Sequence, residues 1–309
     1  MIGVRMRQQH GNLEKNALLM APLSLLALSA CNGIPSSSSS QANDLALLQS
    51  KTYSKASLSC NPVSSGSNYA IDYNLGLAAR LYYSPAGQPH YSKVEDYITK
   101  GKDLGVDLFF NQVNVIPTYF SEGFPSEAGP AFETPDGTVL MEWFGIRYNS
   151  LLRLTANQQP GDYQLAILSD DGVIVSASVD GSGKLTPLIN NDDVHATKMG
   201  CATSAITMSA DSHIPIQIDY FQGPRYYITN MLLWRRIPDR TVASSPIDPS
   251  CGLTGENSFY DSTKRPSVPN QNFQDLLNRG WEVVPPENFL LPMQNPLNPC
   301  YPPNNIVQG

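Results

Sequence analysis

Short runs in which apolar and polar residues alternate recur between Leu75 and Trp234. A period of two belongs to a strand with one face buried, because successive side chains point to opposite sides. Leu75–Tyr83 is one such run, and Met141–Thr155 is another, carrying Trp143, Phe144, Ile146, Tyr148, Leu152 and Leu154. Tyr163–Leu168 and Val173–Val179 flank the turn Ser169-Asp170-Asp171-Gly172. Ile214–Tyr220 alternates cleanly, and Pro215 puts it at a sheet edge or near its own start, since proline has no N–H for a ladder. Tyr226–Trp234 follows the short turn Gln222-Gly223-Pro224-Arg225 and is expected to complete a hairpin with it. Val94–Lys100 is amphipathic and predicts a short helix. Many short strands with turn residues between them predict an all-β fold, an antiparallel β-sandwich over residues 61–238.

The pattern changes after Pro238. Residues 239–309 are rich in Pro, Asn and Ser, a composition that cannot build a sheet interior because each proline lacks a donor. One helix is expected at Phe273–Asn278, closed by Gly280. Phe273, Leu276, Leu277, Trp281, Phe289 and Leu290 favour an ordered appendage over a disordered tail.

The chain has 309 residues, five of them cysteine, and a net charge of −7. No Lys/Arg cluster is present, which argues against nucleic acid as a partner. Arg5, Arg7 and Lys15 precede an apolar run, Ala17–Ala30, that is too short to span a bilayer. The run ends in Leu28-Ser29-Ala30-Cys31, which resembles the lipobox of a bacterial lipoprotein signal. That resemblance implies cleavage before Cys31, lipidation of its thiol and, with Asn32 following, a place at the outer membrane. An ordinary secretory signal is the other reading. Residues 31–60, with Ser36–Ser40, read as a polar tether. Cys60, Cys201, Cys251 and Cys300 remain, and an even number in an exported chain predicts two disulfides in one of three connectivities. Cys251 and Cys300 bracket the appendage and are the pair expected to fasten it. Without a CxxC pair or a Cys/His cluster, no zinc site is expected.

Asp170 and Asp171 are the chief candidates for chemistry. One Asp or Asn suffices to bond a turn's backbone. Two in a row between strands place two hard oxygen donors side by side, as a calcium ion requires. A metal-free polar turn suits the same residues.

The blocks around this pair resemble the protective-antigen-type (PA14) domain, a β-sandwich of bacterial toxins, glycosidases and fungal adhesins. Leu77–Tyr83 resembles its opening strand, and Phe144-Gly145-Ile146-Arg147-Tyr148 its central aromatic-x-(I/V)-R-aromatic strand. Gly161–Leu165 through Ser169–Val173 resembles its most recognisable block. Leu188–Asp192, Ile214–Phe221 and Leu232–Trp234 follow in the family's order, over roughly half the chain. In the fungal flocculin and epithelial-adhesin branch the paired aspartates, joined by a cis peptide, hold one calcium ion that takes up vicinal hydroxyls of a terminal sugar. Carried over, this implies that Asp170 and Asp171 bind calcium and glycan, with Gln222 as the third ligand. Arg225 would stand beside the ion and suit an acidic sugar.

The chain lacks a G-x-S-x-G elbow, an H-E-x-x-H helix motif and a phosphate loop, so no enzyme is expected. Adjacent aspartates suit binding better than the separated carboxylates of glycoside hydrolysis. The reading is therefore a lipid-anchored envelope protein that binds glycan, with calcium. The alternative is a structural or assembly protein that docks a protein partner without sugar or metal. His195, His213 and Asn190–Asp193 read as structural or solvated residues, and Tyr119, Phe120, Phe124, Tyr226 and Tyr227 as core before sugar platform.

Overall fold

The computed structural model describes residues 55–64, 70, 72–224, 227–237, 248–292 and 297–301. Cys31, most of the expected tether and Arg225 lie outside the described residues.

The alternating runs form two facing sheets. The first contains β1 (Leu58–Cys60), β2 (Leu77–Tyr83), β3 (Lys102–Phe110), β5 (Phe144–Leu152), β7 (Val173–Ala177), β8 (Thr186–Asn191) and β11 (Ile214–Gln222). Their order is β1-β3-β2-β5-β11-β7-β8, with β16 (Phe289–Leu290) added to β5. The second sheet contains β4 (Asn114–Tyr119), β6 (Gly161–Asp170), β9 (Lys198–Cys201), β10 (Ile206–Met208), β12 (Tyr227–Ile237) and β15 (Glu282–Val283). Its order is β10-β6-β12-β15, with β4 on β12 and β9 on β6, while β13 (Tyr260–Asp261) and β14 (Val268–Pro269) pair with each other apart from both sheets. β1 runs parallel to β3, whereas the long pairs β11/β5 and β12/β6 are antiparallel. The expected antiparallel sandwich is therefore the observed architecture, with one parallel pair at its edge.

One expected connection is corrected. β11 and β12 do not form a hairpin, because β5 and β7 already occupy both edges of β11. After Gln222 the chain must leave the first sheet, and β12 pairs with β6 in the second. The same crossing, in the opposite direction, joins β6 to β7. Two inter-sheet corners, Asp171-Gly172 and the turn after Gln222, therefore lie at one end of the sandwich. Pro215, the second residue of β11, stands near the start of a central strand and not on an edge. The helix α1 (Val94–Lys100) forms as expected.

Inward residues of both sheets make the main core: Leu77, Leu81, Ile146, Ile216, Ile218, Tyr220, Val173 and Val175 face Leu165, Ile167, Leu232 and Trp234. The intervening residues of the second sheet, Ala166, Leu168, Met231 and Leu233, are buried as well. They pack under Phe259, Tyr260, Phe273, Leu276 and Trp281 of the C-terminal segment. This is why β6 and β12 read as continuous apolar runs: both of their faces are covered.

The appendage is thus a third layer. Its helix α2 (Gln271–Asn278) begins at Asn270, whose side chain accepts from Asn272 and Phe273 N–H, and ends before Gly280 at φ +83°. The segment contributes only short additions to the sheets: β15 adds two residues beside β12, at the end of the second sheet, and β16 adds two beside β5. The expected Cys251–Cys300 bridge is also corrected. Cys251 pairs with Cys201 of β9, and Cys300 with Cys60 of β1. The backbone explains the first pairing: Gly252 N–H donates to the Met199 carbonyl at 2.8 Å and Met199 N–H to the Leu253 carbonyl at 3.0 Å, laying this turn beside β9. Both ends of the appendage are therefore tied to the sandwich and not to each other.

A buried carboxylate locks the layer down. Asp248 accepts from Arg279 at 2.8 and 2.9 Å, from Trp281 Nε1 at 2.8 Å and from Ser250 N–H at 2.9 Å. Arg235 of β12 stands 3.4 Å away and lies over the Trp281 ring. Burial opposes ionisation of Asp248, but these donors outweigh it and hold the carboxyl below its usual value.

Candidate functional site

Asp170 is the last residue of β6, paired with Thr229 of β12. Asp171 and Gly172 carry the chain across to β7, and the Asp170–Asp171 peptide bond is cis. Small residues let this corner close. A Cβ on Gly172 would lie 2.2 Å from Phe221 Cε1 and 2.9 Å from the Asp193 nitrogen. Phe221 in turn stacks on Tyr97 of α1, and Gly145 leaves the room Tyr97 needs, since a Cβ there would lie 2.6 Å from the Tyr97 Cβ. The helix is held by Asp192, whose carboxylate accepts from Val94 N–H at 2.8 Å, so this residue of the expected solvated turn is a helix cap.

The two carboxylates are held differently. Asp171 Oδ1 accepts from His195 N–H at 2.9 Å and Oδ2 from Gly223 N–H at 2.7 Å, which ties the two inter-sheet corners together. Asp170 accepts from Thr197 N–H. Both are almost fully buried, at 6% and 3% exposure, yet both line an open cleft of about 370 Å³ with His195, Pro224, Tyr227 and Glu256. Burial pushes the Asp170 carboxyl up to about 9, with the charges of Asp171 and Glu256 acting in the same direction. Burial also pushes Asp171 up, to about 6, while the Gly223 and His195 N–H bonds restrain it.

Glu256 has no counterpart in the motif-based reading. It comes from the appendage, on the turn that Cys201–Cys251 fastens and that Gly255 N–H extends to the Thr197 carbonyl at 2.9 Å. Its Oε2 is buried without a hydrogen-bond partner, and burial raises its carboxyl above the usual value. No local pattern marks Glu256 in the sequence; only the disulfide and the β9 contacts bring it to the cleft.

The other expected residues fall as follows. Gln222 is 1% exposed and does not line the cleft. Its Oε1 lies 2.5 Å from the Tyr220 hydroxyl and its Nε2 donates to the Tyr227 carbonyl at 2.9 Å. Its amide thus bonds both strands at the β11–β12 corner, outside the lining of the cleft. Arg225 lies outside the described residues. The His195 ring has Ala196 and Asn191 carbonyls at 2.9 Å from its two nitrogens, so it braces the rim. Phe120 and Phe124 are core, whereas Tyr119 is 40% exposed and Tyr227 half-buried.

No family model matches the chain, and no curated protein sequence matches it. Solved structures show a remote likeness. A PA14 sugar-binding domain from an RTX adhesin has 17% identity and a TM-score of 0.34, covering 53% of this chain and 90% of the adhesin domain. The A domain of epithelial adhesin 6 from Candida glabrata, solved with Galb1-3GlcNAc, has 14% identity and a TM-score of 0.37, covering 60% and 88%. An anti-sigma factor domain-containing protein has 13% identity and a TM-score of 0.38, covering 71% of this chain. The match spans about half, 48%, of that protein's length.

The residues at the cleft fit a hard divalent cation in a specific and limited way. Two adjacent carboxylates, desolvated and facing no ion-paired Lys or Arg among the described residues, supply the charge calcium needs. Glu256 Oε2 adds an unsatisfied buried oxygen to the same cleft. Among the described residues no three acidic, His or Cys side chains form a ready-made ligand set, so further oxygens would come from backbone, water or a ligand.

Proposed function

We propose that this protein binds glycans at the Asp170–Asp171 cleft, with calcium joining the carboxylates to sugar hydroxyls. One observation carries the reading: two neighbouring carboxylates are buried in the wall of an open cleft, and nothing described there neutralises them. Burying ionised carboxylates unpaired is costly. A calcium ion offsets that cost and, because two side chains leave most of its six to eight positions free, retains sites for a diol. The Tyr227 ring offers an apolar face of the kind that packs against sugar C–H groups. The order of PA14-like blocks in the sequence supports the same assignment. Binding and not turnover is proposed, since Asp171 is fixed through both oxygens by backbone N–H groups. The lipobox-like Leu28–Cys31 supports a tether to the bacterial envelope, and loss of palmitate labelling in Cys31→Ala would test that part.

The test for the cleft is a glycan array probed in calcium and in chelator. Retention should require calcium and should vanish in Asp171→Ala with the fold intact by circular dichroism. Equal retention in chelator would reject the calcium bridge.

A further inference from the structure

A second cleft, of about 510 Å³, lies beside Tyr119, and Arg265 of the appendage forms part of its wall. Tyr119 ends β4 and pairs with Tyr227, the first residue of β12, their rings meeting edge to face at 5.8 Å. The Arg265 guanidinium lies 5.2 Å from the Tyr119 ring centre and 5.6 Å from that of Tyr227. Its Nη2 donates to the Tyr227 hydroxyl at 3.2 Å, and its Nη1 to the Ser262 and Lys264 carbonyls at 2.8 and 3.3 Å. Buried Ser267 fixes the loop through a hydrogen bond to the Pro117 carbonyl.

Three features of this group point to a ligand. The guanidinium is held in place by aromatic rings and neutral carbonyls, and no carboxylate among the described residues pairs with it; Glu122 lines the same cleft without an ion pair to it. Its Nε–H has no acceptor among the described residues, so a pre-positioned fork retains donors facing solvent. Tyr227 belongs to the wall of the acidic cleft and Tyr119 to that of the second, so their ring contact sets the two clefts side by side. In a chain of net charge −7, a fixed cation beside two partly exposed tyrosines favours a ligand that is both a sugar and an anion. Planar oxyanions are the groups that an arginine fork matches with two parallel hydrogen bonds.

We infer that the Tyr119–Arg265 cleft is a second sugar subsite, one that takes an anionic residue, carboxylated or sulfated, of a glycan whose neighbouring residue occupies the Asp170–Asp171 cleft. This rests on the glycan-binding reading above. The two sugars then meet opposite chemistry: a cation bridge at one cleft, and a stacked guanidinium at the next.

The test applies the full chain, in calcium, to matched sets of oligosaccharides in neutral, uronic-acid and sulfated forms. One charge-assisted hydrogen-bond pair predicts at least about tenfold better retention of an anionic member over its neutral counterpart. The carboxylated and sulfated arms identify which anion is preferred. Arg265→Gln should erase the preference of the anionic over the neutral form, while Arg265→Lys, which keeps the charge without the fork, should recover only part of it. Equal retention of neutral and anionic forms by the wild type, with both released by chelator, overturns this subsite and leaves the acidic cleft standing. A preference that survives Arg265→Gln overturns it also. Failure of the wild type to retain any probe in calcium overturns both readings.

Discussion

In chelator, the stability of this protein should fall as pH rises. In the unfolded chain Asp170 and Asp171 ionise near 3.8; burial raises Asp171 to about 6 and Asp170 to about 9 in the fold without a cation. The folded state therefore holds these protons more tightly than the unfolded chain, and ionisation weakens it. Stability is greatest below about pH 4. It declines as the pH climbs through about 6 for Asp171, and further toward 9 for Asp170. For Asp171 alone, about two units at about 1.36 kcal/mol each come to about 3 kcal/mol. In a folded region of this size that is a Tm lowered by roughly 6–12 °C. Asp170 adds to it in the same direction. On the proposed reading, calcium would bind the ionised pair and cancel the loss, so the Tm gain on adding calcium should be larger at about pH 8 than at about pH 5. The assay is differential scanning calorimetry at several pH values in calcium and in chelator. Asp170→Asn is the diagnostic variant, because an amide oxygen still accepts from Thr197 N–H while the charge is gone. It should remove the part of the decline that continues above about pH 6 and blunt the response to calcium. A wild-type Tm in chelator that stays level between these pH values would refute the reasoning, as would a calcium response of equal size at both.

Three further outcomes follow from named contacts. Asp248→Ala leaves Arg235 and Arg279 without their buried partner, which costs about 3–5 kcal/mol, and limited proteolysis should then cut first within residues 248–292; an unchanged Tm would show that the carboxylate is not what holds the layer. Gly172→Ala drives a methyl against Phe221, 2.2 Å from its ring carbon, so a loss of about 1–3 kcal/mol and of calcium binding is expected by calorimetry and titration. The double replacement Cys201→Ser/Cys251→Ser opens a loop of 50 residues, for which chain entropy predicts about 4 kcal/mol, and it should also weaken calcium binding by releasing Glu256 from the cleft; calcium affinity equal to wild type would separate Glu256 from the site.

What was legible in the sequence was whatever depends on near neighbours. Alternation in Ile214–Tyr220 marked a strand with one face buried, and the observed burial follows it. The helix at Val94–Lys100 and the Gly280 stop for α2 were likewise set by local periodicity and backbone freedom. β3 and β4 escaped notice because Gly105 and Pro117 interrupt their alternation, and β1 because three residues are too few to show a period.

The candidate site divides in the same way. Asp170 and Asp171 stand out from their spacing and their strand-bounded turn alone. That they lie at a crossing between sheets, tied through Gly223 N–H to a second crossing, follows from the occupied edges of β11, which no local pattern encodes. The cysteine count implied two bridges, but their partners depend on which strand the appendage lies beside. Gln222 turns inward to bond Tyr220 and Tyr227, whereas Glu256 reaches the cleft from far along the chain, carried by a disulfide and a few backbone hydrogen bonds. Chemistry confined to one turn is therefore readable from the chain alone, whereas the completed cleft, built from segments distant in sequence, required the fold.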